Sequence, residues 1–190
     1  MRVRGHPMKR CRSFTLVEPL VALALALVLV AAVARGMMAL TSDGERLALL
    51  RRERAFQRRV LALMRAELEA ARSWGLGTGA GAECPLGGRA PVLRMELENR
   101  GITYSVGEAP SSIWRGRVLM RCGPAYGLEG ELSGGAAQNR VVLDGLEQEG
   151  LQVEREAPGV VKLRLRQGIP LRGGGLVSVG LETRAGTMTP

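Results

Sequence analysis

Histidine, aromatic residues and cysteine are scarce in this chain of 190 residues, and each scarcity removes a class of chemistry. The one histidine, His6, lies in a basic N-terminal stretch, so no Ser/His/Asp set can be built and no later cysteine has a histidine base. Metal-ligand spacings such as C-x-x-C and H-E-x-x-H do not occur. No calcium loop is evident, and no Asp or Glu beyond the apolar N-terminal run stands where the sequence alone marks a raised-pKa acid. The reading is therefore a non-enzyme with no cofactor and no small-molecule substrate. The six aromatics (Phe14, Phe56, Trp74, Tyr104, Trp114 and Tyr126) are too sparse for a base-stacking platform. A net charge of +9 invites a nucleic-acid partner, but five of the 27 basic residues precede Phe14, leaving 22 against 18 acidic residues. A solvated, arginine-rich surface explains that balance more simply than DNA binding does.

Acidic charge is also missing from the N-terminus, where Glu18 is the only acidic residue before Asp43. Arg2, Arg4, Lys9, Arg10 and Arg12 lead into Ser13-Phe14-Thr15-Leu16-Val17-Glu18-Pro19, and Leu20 to Ala34 is apolar without interruption. Placing an ionisable group at membrane depth costs about 2.5 to 3.5 kcal/mol, so Glu18 asks for a cationic partner. About 20 apolar residues cross a bilayer, and residues 14–35 read as a transmembrane helix with its basic flank on the cytoplasmic side. Ala32-Val33-Ala34 would also suit a signal peptidase, but ordinary secretion gives no reason for Glu18. Met8 is an alternative start.

Phe14-Thr15-Leu16-Val17-Glu18 behind a short basic leader resembles the prepilin signal of the type IV pilin and pseudopilin superfamily. The resemblance implies a leader of residues 1–13, cleavage between Ser13 and Phe14 by a prepilin peptidase, and N-methylation of Phe14. It also implies that Glu18 meets the N-terminal amine of a neighbouring subunit during assembly. Ser13 stands where the family prefers glycine. A free α-amine with a pKa near 8 is mostly cationic at neutral pH, which suits that pairing. In a helix Phe14 and Glu18 are about 6 Å apart along the axis, so pairing within one subunit is also open. Pro19 lacks the N–H for a bond back to Thr15 and disfavours a helical Glu18, so regular helix is expected to begin at Pro19. With Cys11 in the leader, Cys84 and Cys122 remain in an exported part. They are expected either to form one disulfide across a loop of about 40 residues, contributing about 3 to 4 kcal/mol, or to stay independent thiols.

Residues 36–74 read as a second, amphipathic stretch of helix. The pattern falters between Gly36 and Gly44, and Ser42-x-x-Glu45 has the form of a capping box, which leaves either a kink or a helix restart open near Thr41. Glu45 to Trp74 contains no proline or internal glycine. Phe56-Val60-Leu63 and Leu61-Met64-Leu68-Ala71 form one apolar face, while Arg46, Arg51, Arg52, Arg54, Arg58, Arg59, Arg65 and Arg72 occupy much of the rest. Residues 75–89 read as a glycine-rich connector without the spacing of a phosphate-binding loop.

From Ala90 the apolar period changes to 2. Leu93-Met95-Leu97 and Ile102-Tyr104-Val106 read as a hairpin turning at Asn99-Arg100-Gly101, with further strands at 117–122, 140–143, 151–154, 160–165 and 176–181. The class is α+β: a long N-terminal helix followed by an antiparallel sheet over 90–190. The order of Ile102 to Val106, Ile113-Trp114-Arg115 and Val141 to Leu146 resembles J-type minor pseudopilins and PilW-like minor pilins. This second resemblance implies a minor subunit near the tip of a type IV pilus or type II secretion pseudopilus. It would be held in the inner membrane with its sheet domain outside the cytoplasm, and its partners would be the peptidase and other pilins. The rivals are an exported or anchored β-domain that binds a ligand, and a DNA-uptake minor pilin.

Overall fold

A computed structural model describes residues 17–77, 83–98, 100–171 and 174–187. The chain divides into two compact units, Met1–Leu47 and Ala48–Pro190. Helix α1 (Val17–Ala70) is followed by seven strands: β1 (Ser73–Leu76), β2 (Ala90–Leu97), β3 (Arg100–Glu108), β4 (Arg117–Gly123), β5 (Gln138–Ala157), β6 (Val160–Pro170) and β7 (Leu176–Gly186). The strands form one antiparallel meander in the order β1 to β7. The α+β class expected from the change of period is the class observed.

The helix differs from expectation at both ends. It includes Val17 and Glu18, ahead of Pro19. Proline is tolerated there because the first four N–H groups of a helix have no partner within it in any case. At the other end α1 stops at Ala70 rather than Trp74. The Ala71 N–H turns back to the Leu68 carbonyl, and the Arg72 N–H donates to the Glu96 carbonyl of β2 at 2.9 Å. The sheet captures the backbone, and Ser73 to Leu76 pair with Glu96 to Leu93 instead of extending the helix.

In the second unit, Val60, Leu61, Met64, Leu68 and Ala71 are buried, at the three- and four-residue spacing that places them on one helix face. They pack against inward residues of the sheet, among them Leu93, Met95, Tyr104, Leu119 and Leu163. Phe56, assigned to this face from sequence, is instead 47% exposed. The sheet curls: β2 also touches β5, and the Arg155 guanidinium lies 4.8 Å from the centre of the Trp74 ring in β1.

Two strand boundaries move for physical reasons. The β2–β3 turn is tighter than Asn99-Arg100-Gly101, because Leu97 pairs directly with Arg100 and Glu98 takes a left-handed φ of 48°. The two short strands at 140–143 and 151–154 are parts of one strand, β5, whose register against β6 shifts between Leu146 and Leu151. Gly150 lies in this irregularity, where a Cβ would come within 2.8 Å of the Arg166 carbonyl oxygen. The shift leaves both Leu146 and Leu151 in the core.

The stretch read as a connector begins with the last two residues of β1, Gly75 and Leu76, and continues into a segment that packs on the outer face of the sheet. The Gly101 N–H donates to the Glu83 carboxylate at 3.1 Å, and Asn139 donates to the Pro85 carbonyl at 2.7 Å. A Cβ on Gly107 would lie 3.0 Å from Cα of Arg89, so only glycine leaves room for that crossing. Leu68→Ala, at the centre of the buried seam, is expected to lower stability by about 2 to 5 kcal/mol, whereas the half-exposed Phe56→Ala should change it by less than about 1 kcal/mol. Urea unfolding of the detergent-solubilised chain, followed by tryptophan fluorescence, measures both.

Candidate functional site

The first unit contributes a helical segment, Val17–Met38, whose 22 residues have a mean hydropathy of 2.5 and no buried positions. By length and composition it can cross a membrane. Glu18 lies in the first turn of α1, where the partial positive charge of the helix N-terminus favours a carboxylate. Ser13 and Phe14 lie outside the described residues. Val17–Met38 thus presents an exposed apolar surface with a single carboxylate at its start, an arrangement suited to lipid or to other helices.

In the second unit Cys84 and Cys122 form a disulfide, with Cα atoms 5.9 Å apart. It joins the segment after β1 to β4 across a separation of 38 residues. Closing a loop of that length contributes about 4 kcal/mol through the unfolded chain.

Two polar clusters that sequence reasoning missed fasten α1 to the sheet. Glu67, 1% exposed, accepts hydrogen bonds from Tyr104 Oη at 2.6 Å, Tyr126 Oη at 2.8 Å and Arg121 Nε at 2.8 Å. Arg121 Nη1 also donates to the Pro124 carbonyl at 2.8 Å. Burial pushes the Tyr104 hydroxyl well above its ordinary range, and the adjacent Glu67 charge adds to the shift. Tyr126 is raised by the same two causes in the same order. Burial works against the Arg121 cation, but the attraction of Glu67 outweighs it and leaves Arg121 raised. The signal for Glu67 is positional: it follows Met64 by three residues and precedes Ala71 by four, which puts it on the apolar face.

The second cluster begins at Gln57, fully buried one turn before Leu61. Its Nε2 donates to Gln167 Oε1 at 3.0 Å and to the Val179 carbonyl at 3.1 Å. Gln167 Nε2 donates to Glu53 at 3.2 Å and to the Asp144 carbonyl at 2.9 Å. Arg115 Nη2 bridges Glu53 and Asp144 at 3.2 and 3.0 Å, and the Arg115 backbone N–H donates to Asp144 at 3.0 Å. Burial works to raise the Asp144 carboxyl, but the bonds from Arg115 prevail and hold it below the usual range. The lone tripeptide Ile113-Trp114-Arg115 thus acquires a role: its arginine ties the β3–β4 loop to α1 and β5.

Most polar atoms of these clusters pair within them, while Gln57 Oε1 and Arg121 Nη2 are buried without a hydrogen-bond partner among the described residues, and neither cluster offers an open nucleophile. A groove of about 340 Å³ beside the second is lined by Arg52, Phe56, Trp114 and Asp144 among others. Among the described residues no group of three or more His, Cys, Asp or Glu side chains could hold a metal. The seven helix arginines from Arg46 to Arg65, and Arg72 just beyond the helix, are exposed, and Arg65 pairs with Glu69 at 2.7 Å.

Residues 8–34 match a family model described as the prokaryotic N-terminal methylation motif. This supports the type IV pilin and pseudopilin signal at Phe14 to Glu18, and with the apolar helix it fits a single-pass membrane-anchored protein. The motif points to a structural subunit rather than an enzyme. Comparison with curated proteins gives no match, and neither does comparison with solved structures.

Removing Arg121 would strand the buried Glu67 carboxylate, so Arg121→Ala is expected to cost about 3 to 5 kcal/mol in urea unfolding. Reduction of Cys84–Cys122 should lower stability by about 4 kcal/mol. The folded state holds Tyr104 protonated above its unfolded pKa near 10, so that contribution is fully present below pH 10 and is lost as pH rises further. Tyr104→Phe should therefore flatten the alkaline decline in unfolding midpoint.

Proposed function

From a chain whose N-terminus carries the signal of type IV pilins and pseudopilins, we propose a minor pilin or pseudopilin, a structural subunit of a type IV pilus or type II secretion pseudopilus. The match over residues 8–34 carries the reading, because it falls on the carboxylate and the exposed apolar helix that bilayer physics otherwise leaves unexplained. A prepilin peptidase cuts between Ser13 and Phe14 and methylates Phe14. The protein rests in the inner membrane as a single span, with its N-terminus cytoplasmic and its sheet domain outside. The Cys84–Cys122 disulfide supports that placement, since such bonds persist in oxidising compartments.

Assembly moves the apolar segment from lipid into a filament, where neighbouring helices replace acyl chains. Cleavage creates an α-amine that is mostly cationic at neutral pH, and Glu18 supplies the opposite charge across the subunit boundary. The favourable position of a carboxylate in the first helical turn is compatible with that role. The order of segments from Ile102 to Leu146 favours a minor subunit of the J-type or PilW-like kind, placed near the tip. Prepilin peptidase and other pilins are its partners.

Mass spectrometry of protein isolated from its host membrane should give an N-methylated Phe14 as first residue. A chain beginning at Met1, Met8 or Arg35 would sink the reading. Glu18→Ala should insert normally while the filament-incorporated fraction, measured by cross-linking and shearing, falls by about tenfold or more, equivalent to about 1.4 kcal/mol of lost pairing. Undiminished incorporation would remove Glu18 from the mechanism.

A further inference from the structure

The two edges of the sheet are unlike. At one end β1 has four residues. At the other, β7 has eleven, and all pair with β6 in one register from Val160–Gly186 to Pro170–Leu176 without a bulge. Hydrogen bonds beyond both ends of that ladder, Thr187 N–H to Gly159 and Leu171 N–H to Gly175, set its phase. In an antiparallel ladder bonded and non-bonded pairs alternate, so the odd-numbered residues of β7 bond to β6. The N–H and C=O groups of Leu176, Ser178, Gly180, Glu182, Arg184 and Gly186 therefore point out of the sheet. Among the described residues, none of these outward groups has a hydrogen-bond partner. Helix α1 reaches β7 through Gln57, but at the Val179 carbonyl, which faces β6.

The usual guards of such an edge are absent. Sheets protect exposed edges with proline, bulges or outstretched charges. No proline lies within β7. Its two charges lean back over the sheet, Glu182 toward Lys162 and Arg164 at 3.5 Å each and Arg184 onto Glu156 at 2.6 Å.

We propose that β7 is a pairing edge for a second copy of this chain, joined antiparallel about a two-fold axis at Thr183. The charge pattern selects both partner and register. With the axis at Thr183, Glu182 of each copy lies opposite Arg184 of the other, and Gly180 lies opposite Gly186, where no side chains collide. Moving the axis to Glu182 or Arg184 sets like charges face to face, which destabilises a cross-strand pair. Moving it to Leu181 leaves Glu182 opposite a glycine. The Thr183 register satisfies the backbone from Gly180 to Gly186 on both copies with about eight hydrogen bonds. This pairing does not depend on leader cleavage or on filament assembly.

Light scattering of the full chain in detergent, in a Cys11→Ser background, tests the proposal. The chain should be dimeric. Gly180→Pro should weaken association by about tenfold or more, equivalent to about 1.4 kcal/mol, without disturbing the fold. The N–H it removes points outward, and a Cβ at Gly180 meets only ordinary contacts at 3.5 Å or more. Thr183→Cys should form an intermolecular disulfide under mild oxidation, since non-bonded antiparallel pairs bring Cα atoms to about 4.5 Å. Glu182→Arg and Arg184→Glu should each weaken the dimer, and the double swap should restore it. A monomer, or a dimer that survives Gly180→Pro and gives no Thr183→Cys cross-link, as association through the apolar helix would, overturns the proposal.

Discussion

The second unit depends on burying one face of α1 against a curled sheet, and that face is not wholly apolar. Val60, Leu61, Met64, Leu68 and Ala71 supply the non-directional part of the attraction. Gln57 near one end and Glu67 near the other are just as deeply buried, and their hydrogen bonds accept only one placement of the helix. An apolar seam alone tolerates a slide or a small rotation. A carboxylate that must meet two hydroxyls and a guanidinium does not, because leaving any of them unpaired in a low-dielectric interior costs several times what a typical exposed contact contributes.

A second constraint acts from outside the sheet. The chain between β1 and β2 returns over the outer face of β3 and β4, where the disulfide, the Glu83 and Asn139 hydrogen bonds and the missing side chain of Gly107 hold it. The central strands are thereby covered on both sides, which accounts for the burial of Thr103, Ser105, Val118 and Met120 on the face turned away from the helix. On the proposed reading, a domain so closed need not lend its core to assembly. That leaves filament contacts to the apolar segment, and pairing to the one long free edge.

Much of the α+β order could be read directly. Alternation at Leu93-Met95-Leu97 and at Ile102-Tyr104-Val106 found β2 and β3 because each buries one line of side chains and the period of a strand is two. The same reasoning divided β5 in two, since the register shift at Leu146 to Leu151 interrupts alternation without ending the strand. It also carried α1 into Trp74, because helix propensity cannot register a neighbouring strand that takes the Arg72 N–H. Phe56 counted as core by hydrophobicity, and the structure leaves it half exposed; Glu67, a charge that the apolar pattern passes over, is buried on that face.

The linear sequence determined those features that arise from contiguous residues meeting a uniform surrounding. A basic flank, one carboxylate and a long apolar run describe a segment for lipid regardless of the domain attached to it, and the matched motif occupies those same residues. The tertiary structure alone decided how the polar groups pair. Glu67 finds Arg121 across 54 residues and Gln57 finds Gln167 across 110, and no local pattern encodes a partner at that distance. Which strand ends the sheet with its backbone unpaired is likewise a property of the closed fold, because every strand has the same hydrogen-bonding groups until its neighbours are in place.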